Sequence, residues 1–172
     1  FSAIRKLKNY GHGYVNFGEP IALNQFLENH VPNWRDCRDA EPEKKPAWLT
    51  PAVNELANNV MTRINRAAAL NGMALASLCL LSSKRQTMSE AELKQAMGDF
   101  MDLFKAVPFS DDATIPDSSA EELLRDTLKL GRFDVKEDDY GRLISPQPKS
   151  AVYLTYYRNN ILHLFAIPGL IM

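Results

Sequence analysis

The sequence has little cysteine, and its two cysteines, Cys37 and Cys79, lie far apart without a CxxC pair. This pattern argues against a disulfide scaffold and a zinc knuckle, and it favours a reducing compartment such as the cytoplasm. The histidines, His12, His30 and His163, have no second histidine at the i, i+4 spacing of helical zinc motifs. We therefore predict no metal site.

The sequence also lacks an excess of charge of one sign: 20 Lys and Arg residues stand against 21 Asp and Glu residues, a formal net charge of −1. No overall field attracts nucleic acid or anionic lipid. Residues 89–144 could be drawn as a DNA-binding winged helix. The helix nearest its wing, 118–130, carries more acidic than basic side chains, so it would repel the duplex. We predict no nucleic-acid partner.

A hydrophobic run long enough to cross a membrane is missing as well. The longest run, 67–81 ("AAALNGMALASLCLL"), is interrupted by Asn71 and Gly72 and is shorter than the roughly 20 residues that a span requires. The start, "FSAIRKLKNY", is basic and amphipathic rather than a secretory signal. We expect a soluble fragment with no transmembrane helix. Because the chain starts at Phe1 and its apolar C-terminal run stops abruptly, both ends resemble cuts in a longer protein.

The apolar periodicity predicts a mainly α fold. Thr50 and Pro51 are typical of an N-cap and the first residue of a helix, whose apolar stripe continues through Val53, Leu56, Val60 and Ile64. Residues 72–81 are apolar on all sides, which predicts a helix at the centre of the core. We expect the helices to pack around Val60, Leu78, Phe100 and Tyr157.

Further helix starts are predicted by two capping boxes. Ser89 with Glu92 is the first, and Ser118 with Glu121 is the second. Another helix is expected to follow Pro148 and to run as far as Phe165.

Strand patterns are few. Residues 14–17 ("YVNF") alternate between apolar and polar and predict one strand near the start, with Val15 and Phe17 on one face. Residues 133–135 and 143–144, with a turn at 139–141, predict a small hairpin. The first strand has no comparable sheet in the sequence to pair with, so we interpret it as the last strand of a domain that lies elsewhere.

The expected fold is therefore mainly α: a helical domain with a small β-hairpin, preceded by one strand left over from another domain, which the family resemblance given below implies is α/β. We assign residues 1–30 to the edge of that other domain, 31–49 to a linker and 50–172 to the helical domain. Residues 4–10 predict the last turns of a helix closed by Gly11, residues 23–27 a short helix, and the Pro-punctuated segment 31–46 a loop.

The candidate binding residues are concentrated in "TYYRNNILHL". They are the two phenols, the guanidinium, the two amides and the imidazole of Tyr156, Tyr157, Arg158, Asn159, Asn160 and His163. A helix cannot point all of them the same way, so some must pack inward or meet a neighbouring domain. Packing in a polar network and ligand binding both fit. Glu19 in "GEP" could carry chemistry, although Gly and Pro also serve a turn. We predict no catalytic residue here.

Four blocks, "GHGYVNFGEPI", "KKPAWLTPAVN", "VPFSDDATIP" and "AVYLTYYRNNILHLFAIPGLI", resemble the middle-to-C-terminal portion of the bacterial membrane-associated glycerol-3-phosphate acyltransferases. The resemblance implies a parent enzyme at the cytoplasmic face of the inner membrane. That enzyme moves a fatty acyl group from acyl carrier protein or coenzyme A to the sn-1 hydroxyl of glycerol 3-phosphate. It also implies no other cofactor, and as partners the acyltransferase domain of the same chain, acyl carrier protein and membrane lipid.

The catalytic motif of that family, His-x-x-x-x-Asp, is absent from this sequence. The fifth residues after His12, His30 and His163 are Phe17, Arg35 and Pro168. The family mechanism needs a histidine held by a carboxylate to take the proton of the acceptor hydroxyl. We therefore expect this fragment to be inactive alone and to support the acyltransferase domain. The alternative is a helical module that binds acyl carrier protein, a membrane surface or a second copy of itself.

Overall fold

The computed structural model describes residues 13–39, 45–139 and 141–171, and it is mainly α with one small antiparallel sheet. The helices are α1 (Leu23–His30), α2 (Trp34–Asp39), α3 (Leu49–Arg66), α4 (Gly72–Ser82), α5 (Glu90–Ala106), α6 (Ala120–Leu128), α7 (Ala151–Leu162) and α8 (Ala166–Ile171). The strands are β1 (Met88–Ser89), β2 (Phe133–Asp138) and β3 (Gly141–Pro146). The mainly α prediction is confirmed, whereas the helix end expected at residues 4–10 lies outside the described residues.

The chain divides into two compact units, residues 16–67 and residues 68–172 together with the segment before residue 16. We call them the small unit and the large unit. The domain boundaries expected from the sequence concern the parent enzyme and stay predictions.

Helix α4 is the centre of the large unit, as the sequence predicts. Every residue from Gly72 to Leu80 is buried, and α4 packs against α7, α6 and α5. A helix that is apolar on all sides is stable in water only when other helices surround it. Each fully buried leucine, such as Leu75, contributes about 1.5–3 kcal/mol relative to an exposed one.

The start of α4 is fixed by its cap and by a close approach to α6. Asn71 is the N-cap, and its Oδ1 accepts a hydrogen bond of 2.9 Å from the amide of Ala74. A Cβ on Gly72 would collide with the hydroxyl of Thr127 and would lie 2.8 Å from the carbonyl oxygen of Leu123. Only glycine lets the two helices approach this closely.

The hairpin prediction is confirmed and extended by one strand. β2 and β3 pair in antiparallel register from Phe133 opposite Pro146 to Asp138 opposite Gly141. β1 adds to the other edge of β3, giving the order β1-β3-β2. The guanidinium of Arg142 holds both carboxylate oxygens of Glu90 at 2.9 and 2.8 Å, which ties the hairpin to the first turn of α5.

Both capping boxes form, but the second lies one residue further along than predicted. Ser89 and Glu92 cap α5 as expected. The cap of α6 is Ser119, whose hydroxyl oxygen accepts from the amide of Glu122 while the Glu122 carboxylate accepts from the amide of Ser119. The sequence could not choose the register, because the adjacent residue Ser118 has a glutamate at the same spacing.

The small unit and the residues just before it correct four expectations. α3 begins at Leu49, after Trp48 with no side-chain cap, so Thr50 lies inside the helix. The segment predicted as a loop contains α2. Residues 14–17 join no β-ladder in the described chain, because a strand needs a partner and none is present beside them. Val60 is 38% exposed rather than part of the core.

Other expectations for the core and the helices are confirmed. The short helix after residue 22 forms as α1, and Phe26 is buried in it. Leu78 is buried, Phe100 and Tyr157 pack against the core of the large unit, and the chain is helical from Pro148 through Phe165.

Replacing Gly72 with alanine should lower the free energy of unfolding by about 1–3 kcal/mol, the usual cost of overpacking, since the new methyl group meets Thr127 and backbone of α6. The matched control is Gly98→Ala in α5, where the added Cβ would lie 3.8 Å from that of Ala120. Gly98→Ala should raise stability by about 0.5–1 kcal/mol because alanine favours helix. Urea unfolding measures both; equal effects of the two substitutions would contradict the close approach.

The register of the second capping box is testable at neighbouring serines. Ser119→Ala should cost about 1 kcal/mol of stability, whereas Ser118→Ala should change it by less than about 0.5 kcal/mol. The hydrogen bonds from the Ser119 amide and hydroxyl lower the pKa of Glu122. The hydrogen-bonded Glu122 carboxylate therefore stabilises the fold at pH values above its pKa in the unfolded chain. This stabilisation is lost as the pH falls through the pKa of Glu122 in the folded chain. Thermal unfolding at neutral and acidic pH should show the deficit of Ser119→Ala shrinking on acidification.

Candidate functional site

The candidate residues of "YYRNN" all lie on α7, which divides them between two environments. The helix turns Leu154 and Ile161 into the core of the large unit. Tyr157 lies on the same side and packs against that core, while Tyr156 is 67% exposed. Asn159 and Asn160 are exposed. The structure thus does not bring the set together as one cluster.

Arg158 is half-buried, and its guanidinium is hydrogen-bonded to the neighbouring residue Asn159. Its Nε and Nη2 donate to Oδ1 of Asn159 at 3.2 and 3.1 Å. Within the described ranges no carboxylate lies in ion-pair distance of this guanidinium. A partly desolvated guanidinium is stabilised most by hydrogen bonds to an anionic or carbonyl acceptor. The Arg158 guanidinium has N–H donors left over for such an acceptor.

Two further polar residues, Tyr153 on α7 and His163 directly after it, make contacts that involve aromatic rings. His163 is half-buried and meets Phe109 edge to face, with ring centroids 5.3 Å apart. Tyr153 is 58% exposed and lies under the guanidinium of Arg132, whose Cζ is 5.3 Å from the ring centroid. These contacts explain both residues as surface packing of the large unit.

A cavity of about 660 Å³ in the large unit adjoins Tyr157. Its wall includes Tyr14, the capping residue Asn71 and the buried Thr127. No sequence pattern predicts this cavity, although asparagine before an apolar helix, as at Asn71, is an N-cap signal. Tyr14 lies within the conspicuous "GYVNFGEP" stretch, but its place on a cavity wall depends on tertiary structure.

The charges around this cavity do not suit a phosphate. Asp117 and Asp126 line it, and Lys129 is the cationic side chain among the lining residues. The Lys129 ammonium donates to Asp126 at 2.7 Å, and this bond lowers the pKa of the Asp126 carboxyl, so the two charges already compensate each other. A doubly charged anion would meet a net negative wall. The cavity fits a neutral polar group better.

Glu19 lies in the small unit, away from regular structure. Its carbonyl oxygen accepts a hydrogen bond of 2.7 Å from Nη1 of Arg63 on α3. The contact uses the backbone of Glu19 rather than its carboxylate, and the side chain is exposed. In the structure the backbone of Glu19 is held by α3, and a chemical role of its carboxylate stays a prediction.

The described residues contain neither a cluster of metal-ligating side chains nor a helix that could span a membrane. Among them no group of three or more His, Cys, Asp or Glu side chains is placed to hold a metal ion. None of the helices in the described part of the chain combines the length and the apolar character that crossing a bilayer requires.

Comparison with known proteins gives one family. The model described as the glycerol-3-phosphate acyltransferase C-terminal region matches residues 1–172. The chain is 94% identical over 172 residues to a glycerol-3-phosphate acyltransferase of Alteromonas mediterranea, covering 100% of this chain and 21% of that protein. It is 57% identical over 171 residues to one of Pseudoalteromonas atlantica, covering 99% and 21%. A relative from Aeromonas hydrophila is 48% identical over 168 residues, covering 98% and 21%. The chain thus spans about a fifth of the length of these relatives.

The two tyrosines of α7 should respond differently to truncation. Tyr157→Ala should lower the free energy of unfolding by about 2 kcal/mol or more, because the ring packs against the core. Tyr156→Ala should change it by less than about 0.5 kcal/mol, because that ring is mostly in water. Chemical denaturation measures both values. Equal losses for the two variants would mean that α7 is rotated relative to the orientation described.

Proposed function

Because the chain belongs to the family of glycerol-3-phosphate acyltransferase C-terminal regions, we propose that it is the supporting helical part of such an enzyme. The parent transfers a fatty acyl group from acyl carrier protein or coenzyme A to sn-glycerol 3-phosphate and forms lysophosphatidate. We place the parent at the cytoplasmic face of the bacterial inner membrane, with acyl carrier protein and membrane lipid as partners and no further cofactor. The names of the relatives state only the acyl transfer to glycerol 3-phosphate; the acyl donor, the location and the partners are part of our proposal.

The thioester chemistry belongs to the rest of the parent polypeptide. No histidine of this sequence is followed at the fifth position by aspartate, so the general base of the reaction has no candidate here. The 172 residues alone are therefore inactive. Residues 1–30 form the edge of the acyltransferase domain, residues 31–49 the connection and residues 50–172 the helical domain that supports it.

Arg158 carries the supporting role. It is half-buried on α7 and has no carboxylate partner in the described part of the chain. A half-buried arginine that lacks a carboxylate partner on its own helix is suited to a hydrogen bond across a domain boundary. We infer that the acyltransferase domain supplies the acceptor for its guanidinium.

A second candidate function is favoured by exposed apolar residues on the last two helices. Val152, Ile167 and Leu170 are 81%, 62% and 86% exposed. Such residues could bind acyl carrier protein, a membrane surface or a second copy as an interaction module independent of catalysis. Cosedimentation with liposomes and a pulldown with acyl carrier protein separate the two functions: specific binding by these 172 residues favours the module, and its absence favours the supporting role.

In the whole enzyme, Arg158→Ala should lower kcat/KM for glycerol 3-phosphate about tenfold or more, because a hydrogen bond to a charged group is worth about 1.5–3 kcal/mol. The helical part itself should fold as before, because within it the Arg158 guanidinium makes only the two hydrogen bonds to the neighbouring Asn159. The control is Arg125→Ala, an exposed arginine on α6 paired with Asp126 at 3.7 Å, which should behave like the unsubstituted enzyme. Unchanged stability, activity and substrate affinity in Arg158→Ala would together rule out the contact.

A further inference from the structure

We propose that α3 of the small unit, with Phe17 held beside it, is the surface on which the acyltransferase portion of the same polypeptide docks. The proposal rests on the proposed function, since it assumes that this portion exists. We call the surface the α3 face, and it consists of the apolar side chains of Val53, Leu56, Val60, Met61 and Ile64.

The α3 face has the pattern of a buried helix but is open to solvent. Val53, Val60 and Ile64 recur at helical spacing on one side of an 18-residue helix, as the sequence predicts for a core-facing stripe. Yet they are 52%, 38% and 57% exposed, and Met61 beside them is 54% exposed. Contiguous apolar surface of this kind on a water-soluble unit marks an interaction site.

Residues 16–19 are held to the C-terminal half of α3 by two hydrogen bonds. The Asn16 side-chain amide donates to the carbonyl oxygen of Ala67 at 2.7 Å, and Arg63 donates to the carbonyl oxygen of Glu19 at 2.7 Å. Phe17 lies between these two anchored residues and is 96% exposed. The most exposed large aromatic side chain of the described residues is therefore fixed beside the helix whose apolar face is also open.

A strand-like segment fixed beside an amphipathic helix fits the edge of a layered α/β structure. Residues 14–17 alternate like a strand but join no ladder in the described chain. In α/β domains, helices cover the faces of a sheet with their apolar side. If the segment pairs with a sheet elsewhere in the parent, α3 comes to lie over that sheet. The relatives, of which this chain covers 21%, have the length to contain one.

The polar side of α3 argues against a membrane as the occupant. Helices that lie on anionic bilayers carry many Lys and Arg residues on their polar side. The sequence of α3, "LTPAVNELANNVMTRINR", has four asparagines on its polar positions and only Arg63 and Arg66 as cations, against Glu55. The observations therefore favour a protein surface, and the rest of the parent is the protein surface present at a fixed, high effective concentration.

The test is cysteine labelling of the complete parent enzyme with a maleimide. Val60→Cys and Ile64→Cys place a thiol on the α3 face, and the matched control Asn58→Cys places one at an exposed position of the same helix, on its other side. The unsubstituted parent gives the background; its Cys79 is buried, and burial raises the pKa of that thiol to about 12. Retained thermal stability shows that each variant folds.

We expect Val60→Cys and Ile64→Cys to react at least tenfold more slowly than Asn58→Cys in the native parent and at the same rate in urea. Labelling as fast as Asn58→Cys overturns the proposal. Protection that grows with protein concentration overturns it in favour of a second copy, and protection that needs lipid vesicles overturns it in favour of a membrane.

The readout does not depend on catalysis, so the two proposals fail separately. A parent without acyltransferase activity whose Val60→Cys variant is still protected would refute the proposed function and support docking. An active parent whose Val60→Cys thiol reacts freely would support the proposed function and refute docking.

Discussion

The large unit depends on one constraint, which is that α4 must be covered on every side. A helix as apolar as Gly72–Ser82 has no face that tolerates water, so α5, α6 and α7 are required neighbours rather than additions. The close approach at Gly72 brings the start of α4 against α6, and Phe100 and Phe104 reach Phe165 with ring centroids 5.0 and 5.9 Å apart. These contacts enclose α4 in the core of the large unit.

The same constraint explains the two faces of α7. Since Leu154 and Ile161 must cover α4, the polar residues between them are forced either to the boundary of the core or into water. Tyr157 and Arg158 lie at the boundary, while Tyr156 and the two asparagines that follow Arg158 lie in water. The position of each polar side chain on α7 therefore follows from the way in which this helix covers α4.

The small unit shows how far apolar periodicity can be interpreted. The stripe of α3 predicts an amphipathic helix that faces the core; the helix forms, but the structure leaves Val60 and Ile64 exposed. Periodicity reports that a helix face avoids water; it does not report which surface covers it. The segment at residues 14–17 is the equivalent case for a strand, because alternation predicts the conformation only if a pairing edge is present.

The sequence by itself determined the helical class, the central position of α4, the hairpin and the first capping box, because each follows from local composition and spacing over a few residues. It also determined the family and the absence of a His-x-x-x-x-Asp motif. Only the tertiary structure decided between Ser118 and Ser119 as the cap, placed Tyr157 on a cavity wall and left the α3 face uncovered. These outcomes depend on which surfaces meet, and contacts between distant segments are not encoded in any single stretch of the chain.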